Sequence, residues 1–349
     1  MGDGVYNAQI PGEIVGTTGV EYYLRAWDNF GLVGASGYAD NPHYVAAMLD
    51  GTVIPGGQIT DMWWTPQNSP YYISSDVFVS PGSTLHVAAG SSVIFSPGCG
   101  LEIQGGFVAT GAQFLAQNSY MGWDGIMINN AMGPIAIQNC SIQHAVVGVT
   151  FLNASGQMHN NTISKDAENN SFTGEAGVKL QGNSSPGING LNVHNYTPAV
   201  MVQNINTMAS NPVITNVYFH SQYDPQRVDG TALIVEGNVS LTLQEADIAE
   251  YENGIVWNAA LANENRNTAV LTNVSVHISG TANRSVNQAI NISNVSSLQG
   301  TGISILGYPK GLELANPELT NTGTATISGL SIRKTEDNQR TEEFGLKNR

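Results

Sequence analysis

Along most of the chain, single polar residues sit between apolar ones in short runs that keep returning. One series reads Cys140-Ser141-Ile142, Asn161-Thr162-Ile163, Leu191-Asn192-Val193, Val217-Tyr218-Phe219, Ala246-Asp247-Ile248, Val274-Ser275-Val276 and Leu330-Ser331-Ile332. Successive side chains of a strand point to opposite faces, so the flanking residues line a core and the central ones meet solvent. A second series accompanies it: Gly125-Ile126-Met127-Ile128, Gly148-Val149-Thr150-Phe151, Gly177-Val178-Lys179-Leu180 and Ala199-Val200-Met201-Val202. It continues as Ala232-Leu233-Ile234-Val235, Gly254-Ile255-Val256-Trp257, Ala289-Ile290-Asn291-Ile292 and Gly302-Ile303-Ser304-Ile305. Copies recur mostly every 21 to 35 residues. A regular minimum with variable excess describes a fixed coil carrying loops of different length, which predicts a solenoid.

Stacking follows from what one coil lacks. Alone it cannot bury its apolar face, and both strand edges carry unpaired N–H and C=O groups. A neighbour about 4.8 Å away satisfies those groups and extends the core. Asparagine precedes the first triplet at Asn139, Asn160, Asn216 and Asn273. Amides repeated at one turn position can hydrogen-bond along the stack, so these side chains are expected in a buried ladder.

The remaining text divides into three. Residues 1–36 hold two strand-like runs, Val5–Ile10 and Val20–Trp27, the second followed by Asp28-Asn29-Phe30-Gly31. Residues 37–70 are rich in Gly and Pro and read as linker and cap; the solenoid is expected over 71–335. Residues 336–349 form a charged tail or linker with Phe344 and Leu346 as their sizeable apolar groups.

Composition narrows the class. Only 11% of residues are charged, while 39 are glycine and 41% are hydrophobic. Surface helices need many charged residues on their wet face, so helices should be scarce and the surface covered by Asn, Ser, Thr and Gln. The net charge of −15 repels phosphate backbones, which excludes nucleic acid as the partner. No run of 18 apolar residues occurs, so no membrane-spanning helix is expected, and Met1 leads into polar turn chemistry rather than a signal peptide. Cys99 and Cys140 form no C-x-x-C pair; a disulfide between them and two buried thiols are both open.

With these residues in hand, the chain resembles the right-handed parallel β-helix repeat proteins, including the pectate-lyase-like fold. The carriers are Tyr71-Tyr72-Ile73, Asp76-Val77-Phe78-Val79, Pro81-Gly82-Ser83-Thr84-Leu85, Gly98-Cys99-Gly100-Leu101, Gly111-Ala112-Gln113-Phe114 and Trp123-Asp124-Gly125-Ile126. The likeness covers roughly residues 60–335 and implies an all-β solenoid. It leaves activity open, because lyases, hydrolases, adhesins and structural proteins share the fold. Residues 1–36 resemble the last strands of a fibronectin- or immunoglobulin-like sandwich, carried by Tyr22-Tyr23-Leu24-Arg25-Ala26-Trp27-Asp28-Asn29. A full sandwich needs about seven strands, so these strands are expected to pair with the coils, a neighbouring domain or an identical chain by strand addition.

The resemblance implies what an active site would contain. Lyases of this fold use a calcium site of clustered Asp with a nearby Arg or Lys, and hydrolases use two or three Asp on adjacent coils. The best local match is His220-Ser221-Gln222-Tyr223-Asp224-Pro225-Gln226-Arg227-Val228-Asp229, with Asp224, Arg227 and Asp229 as weak catalytic candidates. A polar loop with Asp-Pro turn chemistry is the preferred reading. Glu245, Asp247, Glu250 and Glu252 could hold Ca²⁺, although a solvated face is favoured. His194 and His220 share a column and could bind a transition metal, but Ala249 and His277 follow them there, and surface histidines without function are the preferred reading. Among many N-x-S/T sequons, Asn153, Asn169, Asn183 and Asn283 are expected glycan acceptors, whereas Asn139, Asn160 and Asn273 are discounted as buried in the ladder. The expectation is a non-catalytic extracellular structural or adhesive module of a surface protein or filament; the alternative is a carbohydrate-active β-helix that binds or cleaves glycans.

Overall fold

The computed structural model describes residues 20–27, 31, 33–36, 43–45, 51–166, 174–206, 208–221, 229–259, 267–279, 287–315, 324–333 and 346–348. The chain divides into two units, Met1–Thr52 and Val53–Arg349.

In the first unit, Val20–Tyr22 pairs antiparallel with His43–Val45, and Leu24–Trp27 pairs antiparallel with Val33–Ser36. The run expected as one strand over Val20–Trp27 is broken at Tyr23, and its halves take different partners. All residues of the Leu24–Trp27 and Val33–Ser36 pair are exposed. Val5–Ile10 lies outside the described residues, and a sandwich domain is not shown.

The second unit is an all-β parallel solenoid of about nine turns. Each turn contributes one strand to a 12-stranded sheet A and either two short strands or one long strand to a 20-stranded sheet B; Val213–His220, Leu241–Ala249 and Thr268–His277 are the long ones. One turn reads Gly100–Ile103 in sheet A, then Gly106–Thr110 and Gln113–Ala116 in sheet B, before Trp123–Asn129 returns to sheet A. The triplet series forms one register column of sheet B, in which Ser141, Thr162, Asn192, Tyr218, Asp247 and Ser275 pair in order. The second series forms sheet A, from Ile126 through Val149, Val178, Val200, Leu233 and Ile255 to Ile290.

One repeat was expected in the wrong column. Ser304 pairs with Ser275 and Ser331, so Ile303-Ser304-Ile305 belongs to the triplets, while Gly311-Leu312-Glu313-Leu314 continues sheet A beside Ile290. The two segments share the same apolar–polar–apolar text. Only spacing tells them apart, because a coil cannot close in the short interval between Ile290 and Ile303. The first strand of sheet B, which includes Ile137, Met158, Ile188 and Ile214, was not recognised as a series of its own. Within the stretch expected as linker and cap, Gly57–Ile59 and Met62–Trp64 already pair parallel with later rungs. In the charged tail, Leu346–Asn348 pairs parallel with Lys310–Ala315.

The asparagine column marks a corner, but for a backbone reason. Asn139, Asn160, Asn216 and Asn273 all have φ between 51° and 54°, and Gly190 and Gly302 occupy the same position at 70° and 65°. This left-handed conformation costs most L-residues about 1–2 kcal/mol, and Asn and Gly tolerate it best. Corner N–H groups donate to the next turn: Asn139 to the His159 carbonyl and Asn160 to that of Asn189, both at 2.8 Å. The expected burial is wrong, because Asn139, Asn160 and Asn273 are exposed. Their amides lean outward over the next turn, and a methyl added to Gly190 would land on Asn160 Oδ1.

Inside, aliphatic columns are interrupted by aromatic stacks. The Phe95 and Trp123 rings lie 3.9 Å apart and nearly parallel, and Trp123 Nε1 donates to the Gln143 carbonyl at 2.8 Å. Three fully buried tyrosines stitch alternate turns: the Tyr196 hydroxyl donates to the Ala145 carbonyl at 2.6 Å, Tyr251 to that of Tyr196 at 3.1 Å, and Tyr308 to that of Tyr251 at 2.7 Å. Burial pushes the Tyr196 phenol far above its ordinary range and keeps it a donor. Of the two readings for the cysteines, the structure shows buried free thiols.

Two stability measurements check these assignments. Gly190→Ala should cost more, in thermal or urea unfolding, than the about 1–2 kcal/mol of the left-handed backbone, and in an Asn160→Gly background the cost should shrink to that backbone part alone, about 1–2 kcal/mol; equal penalties in both backgrounds would contradict the corner contact. Tyr251→Phe should cost about 1–3 kcal/mol, because it strands the buried Tyr196 carbonyl; an unchanged unfolding midpoint would show that the stitch carries nothing.

Candidate functional site

Three consecutive rungs of sheet A, Val77–Val79, Gly100–Ile103 and Trp123–Asn129, carry a surface groove lined by Asp76, Phe78, Glu102, Asp124 and Met127. Strand alternation places Phe78, Glu102 and Met127 in one outward row, and their partners Val77, Leu101 and Ile126 are buried. Phe78 and Met127 are 41% and 40% exposed, an apolar flank that the core does not require. Glu102 Oε1 accepts from Gln104 Nε2 and Asn129 Nδ2, both at 2.8 Å, which fixes its carboxylate.

At the end of this row, two aspartates face each other across Gly100. Asp76 Oδ1 accepts the Gly100 N–H at 2.9 Å, and the Asp124 N–H donates to the Cys99 carbonyl at 2.9 Å. A methyl at Gly100 would come within 3.2 Å of the Asp124 Cβ and 3.9 Å of Asp76 Oδ1, so the missing side chain is what opens the space between them. Gly125, at φ 107°, sits at a register shift of the strand, and a Cβ there would strike the Val147 carbonyl. Such a bulge re-aims the preceding side chain, here Asp124.

Partial desolvation by the groove walls, and then the charge of Asp76, push the Asp124 carboxyl above the usual aspartate range. The adjacent Cys99 thiol is raised by burial and by both aspartates, which makes it unreactive. Chemically, the pair offers one carboxyl held toward its acid form, Asp124, beside a second carboxylate anchored by the Gly100 N–H. None of the groove's lining side chains is basic, so it lacks the Arg or Lys of the lyase pattern.

The structure treats the sequence candidates unevenly. Asp224 and Arg227 lie outside the described residues, and of Asp229 only its strand pairing with Tyr251 is described. The four acidic candidates do not converge. Glu245 accepts from Asn273 Nδ2 at 2.6 Å, Asp247 contacts His277 Nε2 at 2.9 Å, Glu250 accepts from the Ser279 N–H and hydroxyl, and Glu252 accepts from Asn287 Nδ2. Among the described residues, no three His, Cys, Asp or Glu are grouped to hold a metal. Asn153 and Asn183 are exposed on one corner, where Asn153 Oδ1 accepts the Asn183 N–H at 3.1 Å; Asn169 and Asn283 lie outside the described residues. His194 and His220 do occupy adjacent turns, as their shared column implied. Asp76 and Asp124 had been noticed only as carriers of the fold. Aligning their strands with Gly100-Leu101-Glu102-Ile103 would have shown two acids flanking a glycine.

No family model matches the chain. The Drosophila melanogaster protein called bark beetle is 42% identical over 64 residues, which span 18% of this chain and 2% of that protein. Among solved structures, the catalytic domain of a GH87 α-1,3-glucanase in complex with nigerose is similar over 85% of this chain and 63% of its own, at 13% identity and a TM-score of 0.30. The Streptococcus pneumoniae surface protein and adhesin PfbA is similar over 82% of this chain and 92% of its own, at 9% identity and a TM-score of 0.29. These values say nothing of chemistry at any residue.

The groove yields a test of its own electrostatics. A carboxyl whose folded pKa is raised loses stability as pH climbs from the ordinary aspartate range through the raised value. Asp124→Asn should therefore raise the melting temperature at pH 7, and the gain should fade at pH 3, where the unfolded aspartate is also protonated. A loss of stability at pH 7 would show that Asp124 is held as a favourable anion.

Proposed function

We propose that this chain is a non-catalytic extracellular module that works as a stiff spacer and contact surface within a larger surface assembly. The observation that carries the reading is the uninterrupted parallel ladder of both sheets, tied from within by the tyrosine stitch. Such a stack resists bending and presents side chains in fixed columns. The outward-facing centres of sheet B are Ser, Thr, Asn, Tyr and Asp, suited to many weak polar contacts rather than one deep pocket. The described strands of the first unit leave Leu24, Trp27 and Val33 at 56%, 65% and 55% exposure, which favours pairing with a neighbouring domain or an identical chain. Asn153 and Asn183 are the described positions where glycans would attach under this reading. The similarity to a surface adhesin in fold alone is consistent with a surface location.

One observation favours a second reading, a carbohydrate-active solenoid. A raised Asp124 near a second carboxylate, Asp76, supplies the two residue types that glycoside hydrolysis employs, one group as acid and one as base or nucleophile. Phe78 and Met127 would supply an apolar flank for a sugar ring.

Reducing-end release from a panel of neutral and acidic polysaccharides separates the two readings. No cleavage is expected from the wild-type chain. Cleavage that falls at least 100-fold in Asp124→Asn or Asp76→Asn would replace the first reading by the second, and cleavage lost in Asp224→Asn or Arg227→Ala would place an active centre at those residues instead.

A further inference from the structure

We propose that His194 and His220 form a binding site for one divalent transition-metal ion, of the zinc or nickel type, which clips two neighbouring turns together. The two residues are direct register partners on adjacent rungs of sheet B, both pointing outward beside the buried Val193 and Phe219. Their ring centroids are 6.2 Å apart. An imidazole nitrogen binds zinc at about 2.0–2.1 Å, which places each ring centroid about 3.2 Å from the ion and, at the tetrahedral angle, the two centroids about 5.2 Å apart. The pair stands about 1 Å wider than that, so side-chain rotations that close the rings by about 1 Å are what would aim a nitrogen of each at a common point.

Three neighbours favour occupation. Tyr218 stacks on His220 with centroids 5.6 Å apart and planes 12° from parallel, and it meets His194 edge-on at 5.9 Å, so it fixes both rings from one side. Asp247, the register partner of Tyr218 on the following turn, and Glu250 near it place negative charge beside the site. Imidazole ligands suit zinc, nickel and copper, and water completes the coordination. His277, two turns from His220, is held by Asp247 at 2.9 Å and serves as an internal control.

The site follows from geometry alone and stands whether the module is a spacer or an enzyme. The test is calorimetric titration of the metal-free full chain with Zn²⁺ and, separately, Ni²⁺, together with thermal melts. One ion per chain is expected, with a metal-dependent rise in melting temperature. His194→Asn and His220→Asn should each weaken binding by about tenfold or more and abolish the rise, whereas His277→Asn should change neither. Copper bound to the wild-type chain should show coupling to two imidazole nitrogens in its electron paramagnetic resonance spectrum. Strand-type circular dichroism identical to wild type verifies that the variants are folded. Absence of saturable binding, or binding undiminished in the His194→Asn/His220→Asn double variant, would overturn the proposal.

Discussion

The turns of this solenoid must change direction and return in register with the turn before, and at many of the described corners they do so by placing a single residue in the left-handed backbone region. Between the two strands of sheet B the column is Asn139, Asn160, Gly190, Asn216, Glu245, Asn273 and Gly302. Where sheet A leads into sheet B it includes Asn130, Asn153 and Gly182, and where sheet B returns to sheet A it includes His144, Asn195 and Glu250. A regular strand cannot bend so sharply, and a looser loop would let the next strand slip. Since a slip of one residue exchanges inward and outward faces, these corners decide whether Leu101, Ile126 and Val149 remain in the core. They also hold the outward rows in line, so any surface chemistry inherits its spacing from them.

Much of this was legible in the sequence because period-2 alternation and coil spacing are strong signals. The triplet column from Cys140-Ser141-Ile142 to Val274-Ser275-Val276 matches the observed register, and Leu330-Ser331-Ile332 belongs to it one turn further on, behind Ser304. Where two strands carried the same text, as at Ile303-Ser304-Ile305 and Leu312-Glu313-Leu314, pattern alone could not separate them. The third strand of each turn was harder still. Members such as Gln157–His159 and Gly187–Asn189 are three residues long, with a single buried residue each. Asparagine gave the right column for an incomplete reason. Residue type reports that a corner exists, but burial depends on which way the side chain leans once the backbone has turned.

The groove was less visible, since what unites Asp76 and Asp124 is stacking between segments 48 positions apart, with a glycine from the intervening turn holding the gap open. A linear scan favours clusters such as His220 to Asp229, where charges are close in the chain. In a solenoid, proximity runs along the axis, and residues one coil apart are nearer than many sequence neighbours. The histidine pair and the aspartate pair obey this same rule on different sheets, one beside an aromatic clamp and the other beside an opened glycine.

The buried phenols change how the stack comes apart. Each hydroxyl reaches past one turn to a carbonyl two turns away, so its bond is shared by turns that are not neighbours. Peeling off the coil that carries Tyr308 therefore removes one hydrogen bond from the Tyr251 carbonyl before the intermediate coil has moved. Fraying is thereby coupled over blocks longer than a single repeat, which turns a nearest-neighbour chain of domino-like steps into one with longer memory. Under tension along the axis, such coupling favours abrupt rips of several coils over gradual unspooling.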